Sequence, residues 1–134
     1  ARGGVMLSSG WYWVGSTDYK FSSSGAMVGV WVDVPCYSQY PELPTGCESV
    51  ALTNLLNYYG FGLGKTIIAD YYLPKGSNGN FVTAFDGNPR RSSGGLMGCV
   101  APAITIAGNN FLRAAGSGKQ AKDVSFSSIS SIKN

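Results

Sequence analysis

The chain has 134 residues, of which 44% are hydrophobic, so it can bury the core of one small domain and is not a disordered tail. Ten Lys and Arg residues against seven Asp and Glu give a net charge of only +3, with no long run of like charges. A nucleic-acid partner is therefore excluded. No apolar run approaches the roughly 20 residues that span a bilayer, so no transmembrane segment is predicted.

The chain begins with Ala1 rather than an initiator Met, and no charged-then-apolar leader follows. We therefore expect mature or excised material from which any export signal is gone. Low charge, 19 Gly and abundant Ser, Tyr and Asn are more typical of an extracellular bacterial protein than of a cytosolic enzyme. The predicted location is secreted or on the bacterial cell surface.

Residues 8 to 31 differ in pattern from the rest of the chain. Aromatic and Val positions alternate with polar ones, and Ser-Ser-Ser-Gly at 22–25 supplies a turn, which predicts a short β-hairpin. A strand-like stub follows at 32–34, closed by Pro35. The predicted domains are therefore 1–31 and 32–134.

The strongest helix signal follows Thr45. Thr45 and Glu48 form a Thr-x-x-Glu capping box, and we assign Glu48 to capping alone. The predicted helix ends near Tyr59, with Gly60 as its left-handed cap. A loop-rich region at 61–91, a second helix from 101 to about 112, a strand stub at 124–126 and the opening of a third helix at 127 follow.

Cys47 lies in the first turn of the first predicted helix, and Ala51 and Leu55 recur on the same face. Unpaired amide N–H groups and the helix dipole favour the thiolate at such a position. Gln39 lies on a loop that can fold back, so that its amide joins the Cys47 N–H in an oxyanion hole. From spacing alone, however, a lone Cys near a helix start is more often a small buried apolar residue.

The run DVPCYSQYPELPTGCESVALTNLLNYYGF at 33–61 resembles the N-terminal catalytic segment of the bacteriocin-processing, papain-like cysteine peptidases. It is more similar still to their free-standing secreted relatives. Three elements follow in the order typical of those relatives, namely Val34-Pro35 with Gln39, Pro-Thr-Gly-Cys-Glu at 44–48, and Leu-Leu-x-Tyr-Tyr-Gly at 55–60. Segments at 80–81, 87–90 and 98–102 resemble the family's next loop and second helix, so the resemblance covers about 32 to 134.

The resemblance implies an α+β fold in which this chain forms the N-terminal helical half of a papain-like peptidase. It also implies Cys47 as the nucleophile, Gln39 in the oxyanion hole, and a His with an Asp or Asn from a β-rich C-terminal half. The sequence contains no His, and neither Lys nor carboxylate side chains are suited to activating a thiol. We therefore expect this chain alone to be inactive, and we expect truncation before the β-rich half rather than an evolved pseudoenzyme.

The predicted function is a secreted or cell-surface cysteine peptidase that acts through a Cys47 acyl-enzyme, without a cofactor. Two alternatives stay open, namely a cell-wall amidase or transpeptidase with the same thiol chemistry, and an inactive binding or scaffold module. The predicted partners are a peptide or protein substrate, cell-wall choline or glycan, and either the missing C-terminal fragment or a second copy.

Three cysteines leave one unpaired after any disulfide. If Cys47 is the reactive one, Cys36 and Cys99 can pair and tie the loop before the nucleophile to the second helix. The alternative is that both are reduced and buried. A metal site of three Cys lacks close ligand spacing and any His, so none is predicted.

Residues 10–31 also resemble a single divergent repeat of the choline-binding or glucan-binding cell-wall modules. The matching pieces are Gly-Trp-Tyr-Trp-Val at 10–14, Tyr19, Phe21, residues 23–28 and Trp31. Such repeats place aromatic faces around a quaternary ammonium or against sugars, which implies ligand-binding roles for Trp11, Trp13, Tyr19 and Trp31. The alternative is a two-stranded ribbon whose aromatics pack on the catalytic domain.

Overall fold

The computed structural model describes residues 4–77, 79–94 and 97–132. The chain divides into two compact units, Ala1–Val34 and Pro35–Asn134. The division falls after residue 34, whereas the sequence places the boundary near 31. Helices and strands are mixed, in agreement with the predicted α+β class.

The first unit contains a three-stranded antiparallel sheet in the order β1-β2-β3, where β1 is Gly10–Val14, β2 is Thr17–Phe21 and β3 is Met27–Trp31. The predicted two-stranded hairpin is therefore wrong in its number of strands. Gly15 and Ser16 form a two-residue connection between β1 and β2, and Gly15 takes a φ of +66°. Such short hairpin loops require positive φ, which glycine adopts without strain.

The second unit is helical with a small parallel strand pair. Its elements are α1 (Cys47–Tyr58), a π-helical turn (Ile68–Tyr72), β4 (Lys75–Gly76), β5 (Phe85–Asp86), α2 (Ala101–Ala114) and α3 (Ile129–Ile132). The predicted strand stubs at 32–34 and 124–126 are wrong, because neither segment pairs as a strand. Within the described part of the chain, no helix combines the length and the apolar character needed to cross a bilayer.

The ends of both long helices use the same backbone motif. Gly60 has a φ of +88°, and its N–H donates to Asn57 O at 2.9 Å while Phe61 N–H donates to Leu56 O at 3.3 Å. This is the Schellman pattern, so the predicted glycine cap of α1 is confirmed. Gly116 ends α2 with the equivalent pair of hydrogen bonds.

The core of the second unit lies between α1, the π-helical turn and α2. Its buried side chains are Leu52, Leu56, Ile68, Leu73, Phe85, Ala107, Phe111 and Leu112. Gly108 is buried within α2, where a Cβ would stand 3.1 Å from the Cβ of Ala121 and 3.6 Å from Leu52 Cδ1. A glycine inside a helix costs stability, but here it allows the chain after α2 to pack closely on that helix.

We predict that Phe85→Ala lowers the free energy of unfolding by about 3 to 5 kcal/mol, because Phe85 is fully buried and the substitution leaves a cavity. Urea denaturation followed by far-UV circular dichroism measures the change, since both long helices lie in this unit. Phe126→Ala is the matched control, because Phe126 is fully exposed and its removal should change stability by less than about 0.5 kcal/mol. Equal losses of unfolding free energy in the two variants would contradict the placement of Phe85 in the core.

Candidate active site

Cys47 is the first residue of α1, but the helix start differs from the predicted capping box. Gly46 is the N-cap residue, and no side chain caps the helix. Thr45 Oγ1 donates instead to the main chain of a distant loop, with its shortest contact to Arg91 O at 3.0 Å. The capping-box prediction is wrong because Thr45 and Glu48 both form hydrogen bonds with residues that are far away in the sequence.

A tight turn at 43–46 sets the direction from which the chain enters α1. Gly46 N–H donates to Leu43 O at 3.0 Å, and Leu43 N–H donates to Gln39 O at 2.9 Å. A Cβ on Gly46 would lie 2.9 Å from Leu43 Cβ and 3.2 Å from Pro89 Cβ. Because Leu43 and Pro89 are fully buried, only glycine fits immediately before Cys47.

Gln39 packs on this turn. Its Nε2 donates to Pro44 O at 2.8 Å, and the side chain is half-buried. This bond holds the amide against the loop that leads into Cys47 and uses one of its two N–H groups. The other N–H has no acceptor among the described residues, so Gln39 has a donor to spare. Its place in an oxyanion hole stays a prediction.

Glu48 connects Cys47 to the segment before α2. Its Oε2 accepts from Cys47 Sγ at 3.2 Å, and its Oε1 accepts from the Cys99 N–H at 3.2 Å. Both oxygens of one carboxylate are thus engaged, one by the thiol and one by a backbone amide. Sequence reasoning assigned Glu48 to capping and missed this contact. The signal that could have revealed it is the carboxylate immediately next to the predicted nucleophile.

The electrostatics around Cys47 oppose thiolate formation. Desolvation of the sulfur, followed by the hydrogen bond and negative charge of Glu48, raises the pKa of Cys47 above its ordinary value. Burial, with a further contribution from Glu48, raises the pKa of Cys99 to about 12. Both thiols are therefore protonated at neutral pH. The expectation that the start of the helix favours the thiolate is therefore wrong. Desolvation and the Glu48 carboxylate, which lies 3.2 Å from the sulfur, raise the pKa by more than the helix start lowers it.

The predicted disulfide between Cys36 and Cys99 is wrong, since all three cysteines are free. Tyr37 N–H binds Asn54 Oδ1, which keeps the Cys36 loop beside the middle of α1. The Cys99 amide is bound instead at Glu48, in the first turn. These two anchor points are about 9 Å apart along the helix axis, so the two segments pack on different turns of α1. Among the described residues, no His, Cys, Asp or Glu side chains group to hold a metal ion.

An exposed apolar surface extends from Cys47 along α1. It includes Leu55 and Tyr58, each about half exposed. Beside it lies a hollow of about 350 Å³, lined mainly by apolar side chains of α1 and of the start of α2. We call this surface the α1 stripe and define it as Ala51, Leu55, Tyr58, Val100 and Ile104. An exposed apolar surface of this kind is typical of an interaction site.

The first unit holds the other predicted site residues. The strand register places Trp11, Trp13 and Trp31 on one face of the sheet, where they are 51%, 68% and 64% exposed. Tyr19 pairs with Tyr12 on the opposite face, because neighbouring residues of a strand point to opposite sides. The structure therefore separates Tyr19 from the three tryptophans with which it was grouped.

The family model of the Peptidase_C39 like family matches residues 31–134. The chain belongs to this family of cysteine peptidases. The matched region contains Gln39, Cys47 and Glu48, and most of the first unit lies outside it. No curated protein and no solved structure gives a significant match.

We predict that Gly46→Ala destabilises the second unit by about 1 to 3 kcal/mol, because the new methyl group overlaps two buried side chains. Urea denaturation monitored by far-UV circular dichroism measures this loss. Gly118→Ala is the matched control, since a Cβ there meets no atom within 4 Å. If Gly46→Ala were as stable as the Gly118→Ala control, the packing described for the turn would be incorrect.

Proposed function

We propose that the chain is the nucleophile-bearing half of a papain-like cysteine peptidase, which hydrolyses peptide bonds through an acyl-enzyme on Cys47. One observation carries the proposal. An exposed thiol begins α1 directly after a turn that holds a glutamine amide, within the segment matched by a cysteine peptidase family. Exposure gives a substrate access to Sγ, and the helix start supplies backbone N–H groups at the site of attack.

In the proposed reaction, a base removes the Cys47 proton and Sγ attacks the carbonyl carbon of the scissile bond. The carbonyl oxygen gains the negative charge and accepts hydrogen bonds from the Cys47 N–H and from the spare N–H of Gln39. The C–N bond then breaks, and the base returns the proton to the leaving amine. Water hydrolyses the remaining thioester, which frees the acid product and restores the thiol.

The base is proposed to be a His, oriented by an Asp or Asn, that lies outside residues 1–134. It belongs either to a β-rich C-terminal half of the same polypeptide or to a second chain. The α1 stripe supports this proposal, because its apolar side chains lie beside Cys47 and are open to a packing partner. On this basis the 134 residues alone have a prepared but incomplete site.

Free imidazole should partly replace the missing base. We predict that a peptide p-nitrophenyl ester acylates Cys47, and that imidazole increases the rate, because it accepts the thiol proton as Sγ attacks and nitrophenolate leaves. Peptide mapping by mass spectrometry locates the acyl group. Cys47→Ala should abolish the adduct at this position, and Gln39→Ala should slow its formation by about tenfold to a hundredfold through loss of an oxyanion donor.

Cys36 is the internal control, because it is also exposed but lies outside the helix start. A higher acylation rate at Cys36 than at Cys47, with or without imidazole, would contradict the proposed nucleophile. An unchanged rate in Gln39→Ala would remove Gln39 from the oxyanion hole.

The second candidate function is a cell-wall amidase or transpeptidase with the same thiol chemistry. The exposed tryptophan face of the first unit favours it, because such a face suits attachment to the wall and places the enzyme near muropeptides. For the same reason we propose a secreted or cell-surface location. The rates at which a polypeptide that includes the proposed His-bearing segment cleaves simple peptides and muropeptides separate the two functions. Faster cleavage of simple peptides would favour the peptidase, and faster cleavage of muropeptides would favour the cell-wall enzyme.

The tryptophan face is also proposed to bind cell-wall choline or glycan. Asp18 lies opposite Trp13 on one side and Trp31 on the other, so a half-buried carboxylate stands between two indoles in one row. The Asp18 side chain has no hydrogen bond or ion pair with any described residue. Electron-rich rings that flank a free carboxylate suit a quaternary ammonium, and exposed indoles also suit a sugar face.

Titration with choline should change the tryptophan fluorescence, because all three tryptophans lie on this face. We predict that Asp18→Asn weakens choline binding by about threefold to thirtyfold, through loss of the carboxylate. Lys20→Gln is the comparison on the same strand and face. Because Lys20 Nζ lies 5.7 Å from the centroid of the Trp11 ring, its removal takes away a competing cation and should not weaken binding. Saturable binding of a wall glycan without choline binding would favour the sugar ligand, and no response to either would contradict the proposal.

A further inference from the structure

We propose that Glu48 locks Cys47 in its neutral thiol form, so that the nucleophile of the incomplete site is protected until a neutral base lies beside it and becomes cationic by taking the thiol proton. The inference rests on the proposed role of Cys47 as the nucleophile. It goes further by assigning a function to Glu48, a residue whose place in the sequence suggested only helix capping. The lock consists of the Cys47 thiol, the Glu48 carboxylate and the Cys99 amide.

The geometry fixes the carboxylate in the position that the lock requires. Glu48 Oε2 accepts the thiol hydrogen at 3.2 Å, while Oε1 accepts from the Cys99 N–H at 3.2 Å. The backbone at Cys99 is itself constrained, since Gly98 forms a pair of hydrogen bonds with Asp86. Moving the carboxylate away from the sulfur would therefore break the hydrogen bond between Oε1 and the Cys99 amide.

The charges that face Cys47 act in the same direction. The titratable groups beside the sulfur are Glu48 on its own helix and Cys99 on the segment before α2. Neither ion pair of the described residues involves Glu48, since one joins Lys65 to Glu42 and the other joins Arg90 to Asp70. No cation therefore neutralises the Glu48 carboxylate, and its effect exceeds that of the Cys47 and Glu48 backbone N–H groups, which lower the pKa of the thiol.

The consequence is a nucleophile whose activation is coupled to completion of the site. In the isolated half, the thiol donates to Glu48 and reacts slowly with electrophiles. An imidazolium that forms beside the sulfur would interact favourably with both the thiolate and the carboxylate. The arrangement that suppresses the lone thiolate would then stabilise the charged pair.

Site-resolved alkylation of the 134-residue chain with iodoacetamide tests the lock. Rates at Cys47 are measured by peptide mapping across the neutral and alkaline pH range. Glu48→Gln removes the charge but keeps an oxygen that can accept from the Cys99 amide. We expect it to lower the half-maximal pH of Cys47 alkylation by about one unit, which makes the reaction about threefold to tenfold faster at neutral pH.

Glu42→Gln is the matched control, because it makes the same charge change at a residue paired with Lys65. It should leave the Cys47 profile unchanged. Circular dichroism verifies that each variant is folded, and Cys36 provides an internal reference for reagent reactivity.

Two results would overturn the lock. One is a Glu48→Gln profile that matches that of the unsubstituted chain. The other is acceleration in Glu48→Ala but not in Glu48→Gln, which would show that Glu48 only anchors the Cys99 amide. The outcome is independent of the acylation experiment, because alkylation reports the state of the thiol, whereas acylation reports whether it acts as the proposed nucleophile.

Discussion

The close packing of Gly46 against Leu43 and Pro89 is the constraint on which the site depends. It fixes the residue at which α1 begins, and thereby the position of the Cys47 sulfur. The same turn carries Pro44, whose carbonyl holds the Gln39 amide. The close contact at Gly46, which leaves no room for a side chain, thus brings the proposed nucleophile and the proposed oxyanion donor onto one short segment.

Electrostatics then determine what the placed thiol can do. A helix start favours an anion, but the Glu48 carboxylate lies within hydrogen-bonding distance of the sulfur and has the stronger influence. The second unit therefore presents Cys47, the proposed nucleophile, as a protonated thiol. This agrees with a chain that contains no His and exposes the apolar α1 stripe beside the site. The described residues place the Cys47 thiol at the start of α1, but they do not lower its pKa.

Local signals in the sequence predicted the helices well and the contacts between segments poorly. Gly60 marks the end of α1 and Pro102 the start of α2 because caps depend on neighbouring residues. The capping box and the disulfide failed because Thr45, Glu48 and Cys99 have partners far away in sequence. The third strand was missed because the turn at Gly15-Ser16 is only two residues long. Aromatic and polar residues alternate before and after it, so the two strands resemble one continuous strand. Cys47 was predicted as the nucleophile through a motif resemblance, and the matching family supports the cysteine peptidase relationship, while the role of Cys47 stays a prediction.

A crystal structure of the chain treated with a peptide aldehyde tests the central claim most directly. The account predicts a covalent hemithioacetal on Cys47, with its oxygen within hydrogen-bonding distance of the Cys47 N–H and Gln39 Nε2. It also predicts that Glu48 keeps its bond to the Cys99 amide after the thiol proton has moved to that oxygen. An adduct on Cys36 instead, or a Cys47 adduct whose oxygen points away from both donors, would contradict it.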